Sequence, residues 1–189
     1  ANIQSDLTFR ITLGLLDDLE LGTSFAPGMD DVFIGSKFNI VKQDRFAVAI
    51  LAGGSIPAGN QTGSEVAEQQ SKLYTYSIGS SVTNDLSDFS SFDSFISYTK
   101  INGSTEFNHV LNYGTSFGYY ITETFQAVLE LNGFHTFNGK FHSRKLSITP
   151  GITYDFSEKL GFAFGFQKDV TGVNELNGLS YFSAFTMSF

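Results

Sequence analysis

The chain has 189 residues, with 21 Phe, 8 Tyr, 19 Gly, no Cys and a formal net charge of −8. No apolar run approaches the roughly 20 residues that a membrane helix needs, so a helical membrane protein is excluded. The absence of Cys excludes disulfides and thiolate metal ligands. The acidic balance argues against nucleic acid as a partner.

The chain alternates apolar with polar or small residues, the period of a β-strand, in eleven segments. In the tenth segment, Phe162, Phe164 and Phe166 alternate with small residues. The sixth is the least regular, and a bulge or an interior Phe95 would explain it. In chain order the segments lie near residues 5–15, 19–26, 32–41, 45–56, 72–83, 89–101, 106–121, 124–137, 144–156, 159–169 and 179–189. No linker separates them, so the sequence predicts an all-β fold, one antiparallel transmembrane β-barrel domain over residues 1–189.

Short and long connections alternate between these segments. The tight, polar ones lie near residues 17–18, 42–44, 85–87, 122–124 and 157–159, and the generally longer ones near 27–31, 57–71, 102–105, 138–142 and 170–178. Membrane barrels have short periplasmic turns and longer external loops. The pattern therefore predicts a barrel of the bacterial outer membrane with its tight turns in the periplasm.

The last segment carries a further indication of membrane insertion. Tyr181, Phe185, Met187 and Phe189 share one face of the predicted strand, and the chain stops on an aromatic residue. This ending resembles the terminal signal that the barrel-insertion machinery reads. We expect that machinery and outer-membrane lipid as partners. The alternative is the edge strand of a soluble sandwich, but the same alternation recurs along the whole chain.

The number of segments leaves one strand unaccounted for. Segments one and eleven both run towards the periplasm, whereas single-chain bacterial barrels usually have an even number of strands. We predict about 12 strands, with 11 visible here and one before Ala1. The alternatives are an odd barrel closed by a parallel pair, and a ten-strand barrel with segment one elsewhere.

The first third of the chain resembles a known family. Residues 14–22 read G-L-L-D-D-L-E-L-G, residues 30–38 read D-D-V-F-I-G-S-K-F, and residues 55–59 read S-I-P-A-G. These runs are similar to motifs of the outer-membrane family named for the MetA pathway of phenol degradation, with Asp18 where Arg is usual. The resemblance implies an outer-membrane channel for small aromatic or apolar compounds.

Charged residues of the inward set would decide what passes such a barrel. They are Arg10, Glu20, Lys37, Asp93, Glu130 and Lys145. Opposed charges either line a narrow polar pore or close it by ion pairs across the lumen. The set is not strongly basic, which argues against acidic sugars or phosphate as solutes. Inward glycines such as Gly14 and Gly165 would leave room for water, solute or a plug, or would permit close packing.

The opposite set is expected to contact lipid. Its mid-strand members are Phe162, Phe164, Phe166, Ile148, Ile152, Leu129, Leu131 and Phe185.

Passive passage of small solutes is the function that this pattern favours. A closed structural or adhesive barrel is the alternative, with residues 57–71 as its longest external loop. A lipid hydrolase comes third, since it needs a His within reach of a Ser. His142 and Ser143 are adjacent and would face opposite ways on a strand, and His109 and His135 fit an interfacial aromatic belt better. We therefore predict a protein that is not an enzyme and has no metal site or cofactor.

Overall fold

The structure is a computed structural model, and it describes residues 9–25, 31–57, 74–102, 108–137, 142–174 and 178–187. Within these ranges no helix is long and apolar enough to cross a bilayer. The described residues form eleven strands: β1 (Phe9–Leu16), β2 (Leu19–Phe25), β3 (Asp31–Gln43), β4 (Phe46–Pro57), β5 (Tyr74–Ser87), β6 (Ser90–Asn102), β7 (His109–Tyr120), β8 (Phe125–Phe137), β9 (Arg144–Ser157), β10 (Leu160–Val173) and β11 (Leu179–Met187). The predicted all-β antiparallel class is confirmed. The largest differences in boundary are at β5 and β10, which end at Ser87 and Val173 rather than near 83 and 169.

The strands form one sheet in which each strand pairs with its neighbours in the chain. The order runs from β1 to β11 without a crossover, and every pair is antiparallel. Five tight turns join the strands at one end of the sheet, which we call the turn end. The connections at the other end, the loop end, fall largely outside the described residues.

The two faces of the sheet differ in burial. Ser55, Ser147, Thr149 and Asp169 are buried, and the pairing registers put all four on the same face. The other face carries nearly all of the exposed large apolar side chains. Because a curved sheet shields the side chains on its concave side, we call the more buried face the inner face and the other the outer face.

Three phenylalanine rings lie on the inner face against glycines. Phe182 is opposite Gly165, and Phe95 is opposite Gly114. A methyl group added at Gly165 would come within 2.6 Å of the Phe182 ring, and one added at Gly53 would come equally close to Phe33. These glycines hold no empty space, because an aromatic ring covers each of them. Phe95 is therefore interior, and no register shift occurs at its position in β6.

The first and last strands form the two edges of the sheet. In the described part of the chain, β1 pairs with β2 alone and β11 with β10 alone, and both strands are exposed along their length. Both also run from the loop end to the turn end, so they cannot pair antiparallel with each other. The predicted twelfth strand, placed before Ala1, stays a prediction.

Adding a methyl group at two inner-face glycines should have different effects. Gly165→Ala forces its methyl group into the Phe182 ring, whereas a methyl group at Gly14 meets no atom within 4 Å. We expect Gly165→Ala to lower the free energy of unfolding by about 1–3 kcal/mol and Gly14→Ala to leave it nearly unchanged. Urea unfolding of the refolded chain in detergent measures both. Phe182→Ala should remove the difference, and equal effects of the two methyl groups in the parent chain would contradict the ring contact.

Candidate functional site in the barrel interior

All six charged residues that the sequence assigned to the interior lie on the inner face. The registers place Arg10, Glu20, Lys37, Asp93, Glu130 and Lys145 there. Asp31, Asp85, Asp155, Asp169 and Lys42 share this face. The described strands thus carry seven acids and four bases on their inner face and no acid on their outer face. That these groups line an open lumen stays a prediction.

Three of these charges border one cavity. Arg10, Glu20 and Lys37 line a cavity of about 270 Å³ that lies over the inner face of the six strands from β1 to β6. Glu20 and Lys37 sit opposite each other on β2 and β3, and Lys37 Nζ lies 3.8 Å from Glu20 Oε1. Arg10 makes no ion pair with the described residues. Since the Glu20 and Lys37 side chains are about 40% exposed, solvent weakens this pair and reaches both charges.

A second, more buried network holds the loop end of β9 and β10. Lys145 Nζ lies 3.5 Å from Asp169 Oδ2, and the Asp169 side chain is only 6% exposed. Asp169 also accepts hydrogen bonds from the Ser147 hydroxyl at 2.7 Å and from the Gly178 backbone N–H at 2.8 Å. The network therefore ties the start of β11 to the interior.

Asp169 is not among the predicted interior charges, because the tenth segment of the alternating pattern ends at that residue. The alternation of Gly161, Ala163, Gly165 and Gln167 continues to Asp169 and carried the signal. β10 runs on to Val173, so Asp169 is a full member of the inner face.

The remaining predicted interior charges lie in other surroundings. Glu130 accepts a hydrogen bond from the Asn132 amide at 3.1 Å and, with Thr149, borders a small cavity of about 60 Å³. Asp93 lies on β6, where the Thr115 hydroxyl bonds its backbone carbonyl. Among the described residues, the interior charges therefore form two separate ion pairs, Glu20 with Lys37 and Asp169 with Lys145. Arg10, Asp93 and Glu130 make no ion pair there, and a polar pore lined by these charges stays a prediction.

The residues predicted to face lipid all lie on the outer face, by the same registers. They are Phe162, Phe164, Phe166, Ile148, Ile152, Leu129, Leu131 and Phe185. Of the terminal signal, Tyr181, Phe185 and Met187 are exposed on the outer side of β11, and Phe189 lies outside the described residues. Contact with lipid and with the insertion machinery stays a prediction.

Two of the histidines join an aromatic cluster on the outer face near the loop end. The His109 ring stacks on Tyr98 and Phe137, and its Nδ1 meets the Tyr98 hydroxyl. His135 meets the edge of Phe137. These contacts suit an interfacial belt. In the described ranges no three His, Cys, Asp or Glu side chains come together as a metal site.

Comparisons with known proteins agree with this architecture. A family model described as "Putative MetA-pathway of phenol degradation" matches residues 6–184. The structure titled "NanC porin structure in rhombohedral crystal form" is 13% identical with a TM-score of 0.69, covering 97% of this chain and 93% of that one. "KdgM porin in complex with disordered oligogalacturonate" is 10% identical with a TM-score of 0.64, covering 96% and 91%. No curated protein matches the sequence. At these identities the likeness concerns the fold, and the predicted transmembrane β-barrel is confirmed.

Removing the lysine from each ion pair should cost more stability in the buried network than in the exposed pair. Lys145→Met leaves the buried Asp169 carboxylate without its cation, and we expect a loss of about 3 kcal/mol in the free energy of unfolding. Lys37→Met removes the exposed partner of Glu20 and should cost less than about 1 kcal/mol. Urea unfolding in detergent gives both values. Equal costs would show that water reaches Asp169 as freely as Glu20.

A charged side chain placed on the outer face should destabilise the barrel in a lipid bilayer. Phe164 lies mid-strand on β10, where its ring meets Phe166 edge-on at a centroid distance of 4.9 Å. Phe164→Arg should destabilise the barrel in vesicles by about 2–4 kcal/mol, and the apolar control Phe164→Leu by less. If the arginine costs no more than the leucine, Phe164 does not face the hydrocarbon.

Proposed function

The chain belongs to the family described as the MetA pathway of phenol degradation, and on that basis we propose that it is a channel of the bacterial outer membrane for passive passage of small solutes. The observation that carries the proposal is the charged cavity of about 270 Å³ on the inner face. A barrel interior that served only as packing would be filled by side chains. Here Arg10, Glu20 and Lys37 border open space.

Neutral and cationic solutes suit this interior better than anionic ones. The seven acids of the inner face outnumber the four bases, so the field along the pore attracts cations and repels anions. KdgM is titled as a complex with oligogalacturonate, a polyanion. The acid excess argues that this chain differs from KdgM in its choice of solute.

Small aromatic or apolar compounds are the solutes that we propose in particular. Phe33, Phe95 and Phe182 are 37%, 39% and 41% exposed although they lie on the inner face. Each ring lies close to a glycine and is still partly accessible. Phe33 also borders the charged cavity, so a solute with an aromatic ring can stack on Phe33 and keep its polar groups near Arg10, Glu20 and Lys37.

The two rival functions have less support. A closed structural or adhesive barrel would act through its external loops, and residues 58–71 lie outside the described ranges. A lipid hydrolase needs a serine hydroxyl hydrogen-bonded to a histidine. Ser143 borders a cavity together with His135 and His142, but His109 and His135 contact aromatic rings. These ring contacts favour a position at the membrane interface over catalysis.

Conductance in planar bilayers tests the channel and its selectivity together. We expect discrete open steps and, under a potassium chloride gradient, a reversal potential that marks cation preference. Glu130→Gln removes one inner-face acid and should lower the cation-to-anion permeability ratio, by about twofold if its field reaches the pore axis at an effective dielectric near that of water. Glu130→Asp keeps the charge and is the matched control.

A folded barrel that stays silent over a range of voltages would reject the channel and favour the closed structural barrel. Open steps with anion preference would leave the channel standing and reject the role of the inner-face acids.

A further inference from the structure

Within the described strands, the outer face carries positive charge in one sector only. Its described strands hold three cations, Lys100 on β6, Arg144 on β9 and Lys168 on β10, with no acid beside them. In the described residues of β1 to β4, the outer face carries no charged side chain. Histidines His109, His135 and His142 lie in the same sector. We call these six residues the loop-end basic surface.

The height of this surface follows from the length of the strands. A barrel strand tilted by about 40° climbs about 2.5 Å per residue. Lys100 is ten residues after Ser90, His135 is ten after Phe125, and Arg144 is thirteen before Ser157. These side chains therefore lie about 25–33 Å from the turn end, at the border of an apolar band about 25 Å tall. Lys168 is eight residues after Leu160, near enough for its long side chain to reach that border.

Aromatic contacts independently support this distance of the loop-end basic surface from the turn end. Tyr98, His109 and Phe137 form a stack beside Lys100, and Tyr76 is paired with Lys100 across β5 and β6. Aromatic girdles mark the interface between hydrocarbon and headgroups. The cations thus sit at headgroup level and outside the hydrocarbon.

These cations have no partner within the described part of the protein. Lys100, Arg144 and Lys168 are exposed, and none makes an ion pair or a side-chain hydrogen bond there. Arg144, His135 and His142 border an open cavity of about 220 Å³. A guanidinium and two imidazoles around a cavity provide several hydrogen-bond donors, a set that suits phosphate oxygens.

We propose that the loop-end basic surface binds the phosphate groups of a phosphorylated glycolipid in the adjoining leaflet, with the cavity at Arg144 as the seat of one phosphate. The inference rests on the proposed location in the outer membrane but needs no open pore. Charge complementarity selects the occupant, because none of these cations makes an ion pair with a described residue and each phosphate supplies an anion. The acidic turns at the other end of the barrel would repel the same lipid.

Native mass spectrometry of the folded full chain in neutral detergent, titrated with diphosphorylated lipid A, tests the proposal. Lys100→Gln/Arg144→Gln removes two cations of the surface. A basic residue near a membrane surface contributes about fivefold to anionic lipid binding, so the double variant should bind about 25-fold more weakly. Lys42→Gln/Lys159→Gln makes the same charge change at the turn end and should bind like the parent chain.

Each other outcome decides against the assignment. Equal loss in both double variants would mean that net charge, not this surface, governs binding. Equal binding of dephosphorylated lipid A would remove the role of phosphate. Complete displacement of the lipid by inorganic phosphate alone would assign the surface to the free ion. Conductance of the Lys100→Gln/Arg144→Gln variant should equal that of the parent chain, so a silent channel and a failure of lipid binding are distinguishable.

Discussion

The backbone hydrogen bond is the constraint on which this structure depends. A bilayer core offers no partner to N–H and C=O groups, and each one left unpaired there costs several kcal/mol. Pairing every strand with its chain neighbours satisfies these groups along the sheet from β2 to β10. The ladder also fixes which face each side chain takes. Once Phe162, Phe164 and Phe166 lie outside, Gly161, Gly165 and Asp169 must lie inside. The inner face is then the one place where the strands can hold their acids.

The face of a side chain could be predicted from the sequence because alternation is a property of one strand at a time. This is why Arg10, Glu20 and Lys37 were assigned to the face on which they lie. Which side chains meet across strands depends on the register between strands, which turn geometry sets and which a bulge such as the one between Asp169 and Thr171 shifts. The position of such a bulge is not visible in the alternation of a single strand. The contacts of Phe182 with Gly165 and of Lys145 with Asp169 therefore emerged only from the structure.

The interior is unevenly filled, and this bears on the route of a solute. Against β9 and β10, Phe182 covers Gly165 and leaves a cavity of about 60 Å³. Over the inner face of the strands from β1 to β6, the cavity is about 270 Å³ and has Arg10, Glu20 and Lys37 at its border. The glycines thus serve both purposes that the sequence left open: Gly165 accommodates a ring, while Gly14 faces open space. The proposed solute path runs through the larger cavity, along the strands from β1 to β6.

The distribution of charge between the faces and the two ends gives the barrel a direction. The acids of the described strands face inwards, and the strand cations of the outer face lie towards the loop end. The turns carry six acids, Asp17, Asp18, Asp44, Asp88, Glu123 and Glu158, against the two bases Arg45 and Lys159. In the proposed lipid binding, the cations of the loop-end basic surface attract polyanionic lipid and the acidic turns repel it, over distances of about 10 Å at ordinary ionic strength. A membrane with phosphorylated glycolipid in one leaflet then stabilises one orientation of the barrel, the one that puts the tight turns on the opposite side. The same segregation keeps the lipid phosphates away from the acidic pore, so that lipid binding and solute passage use separate surfaces of one sheet.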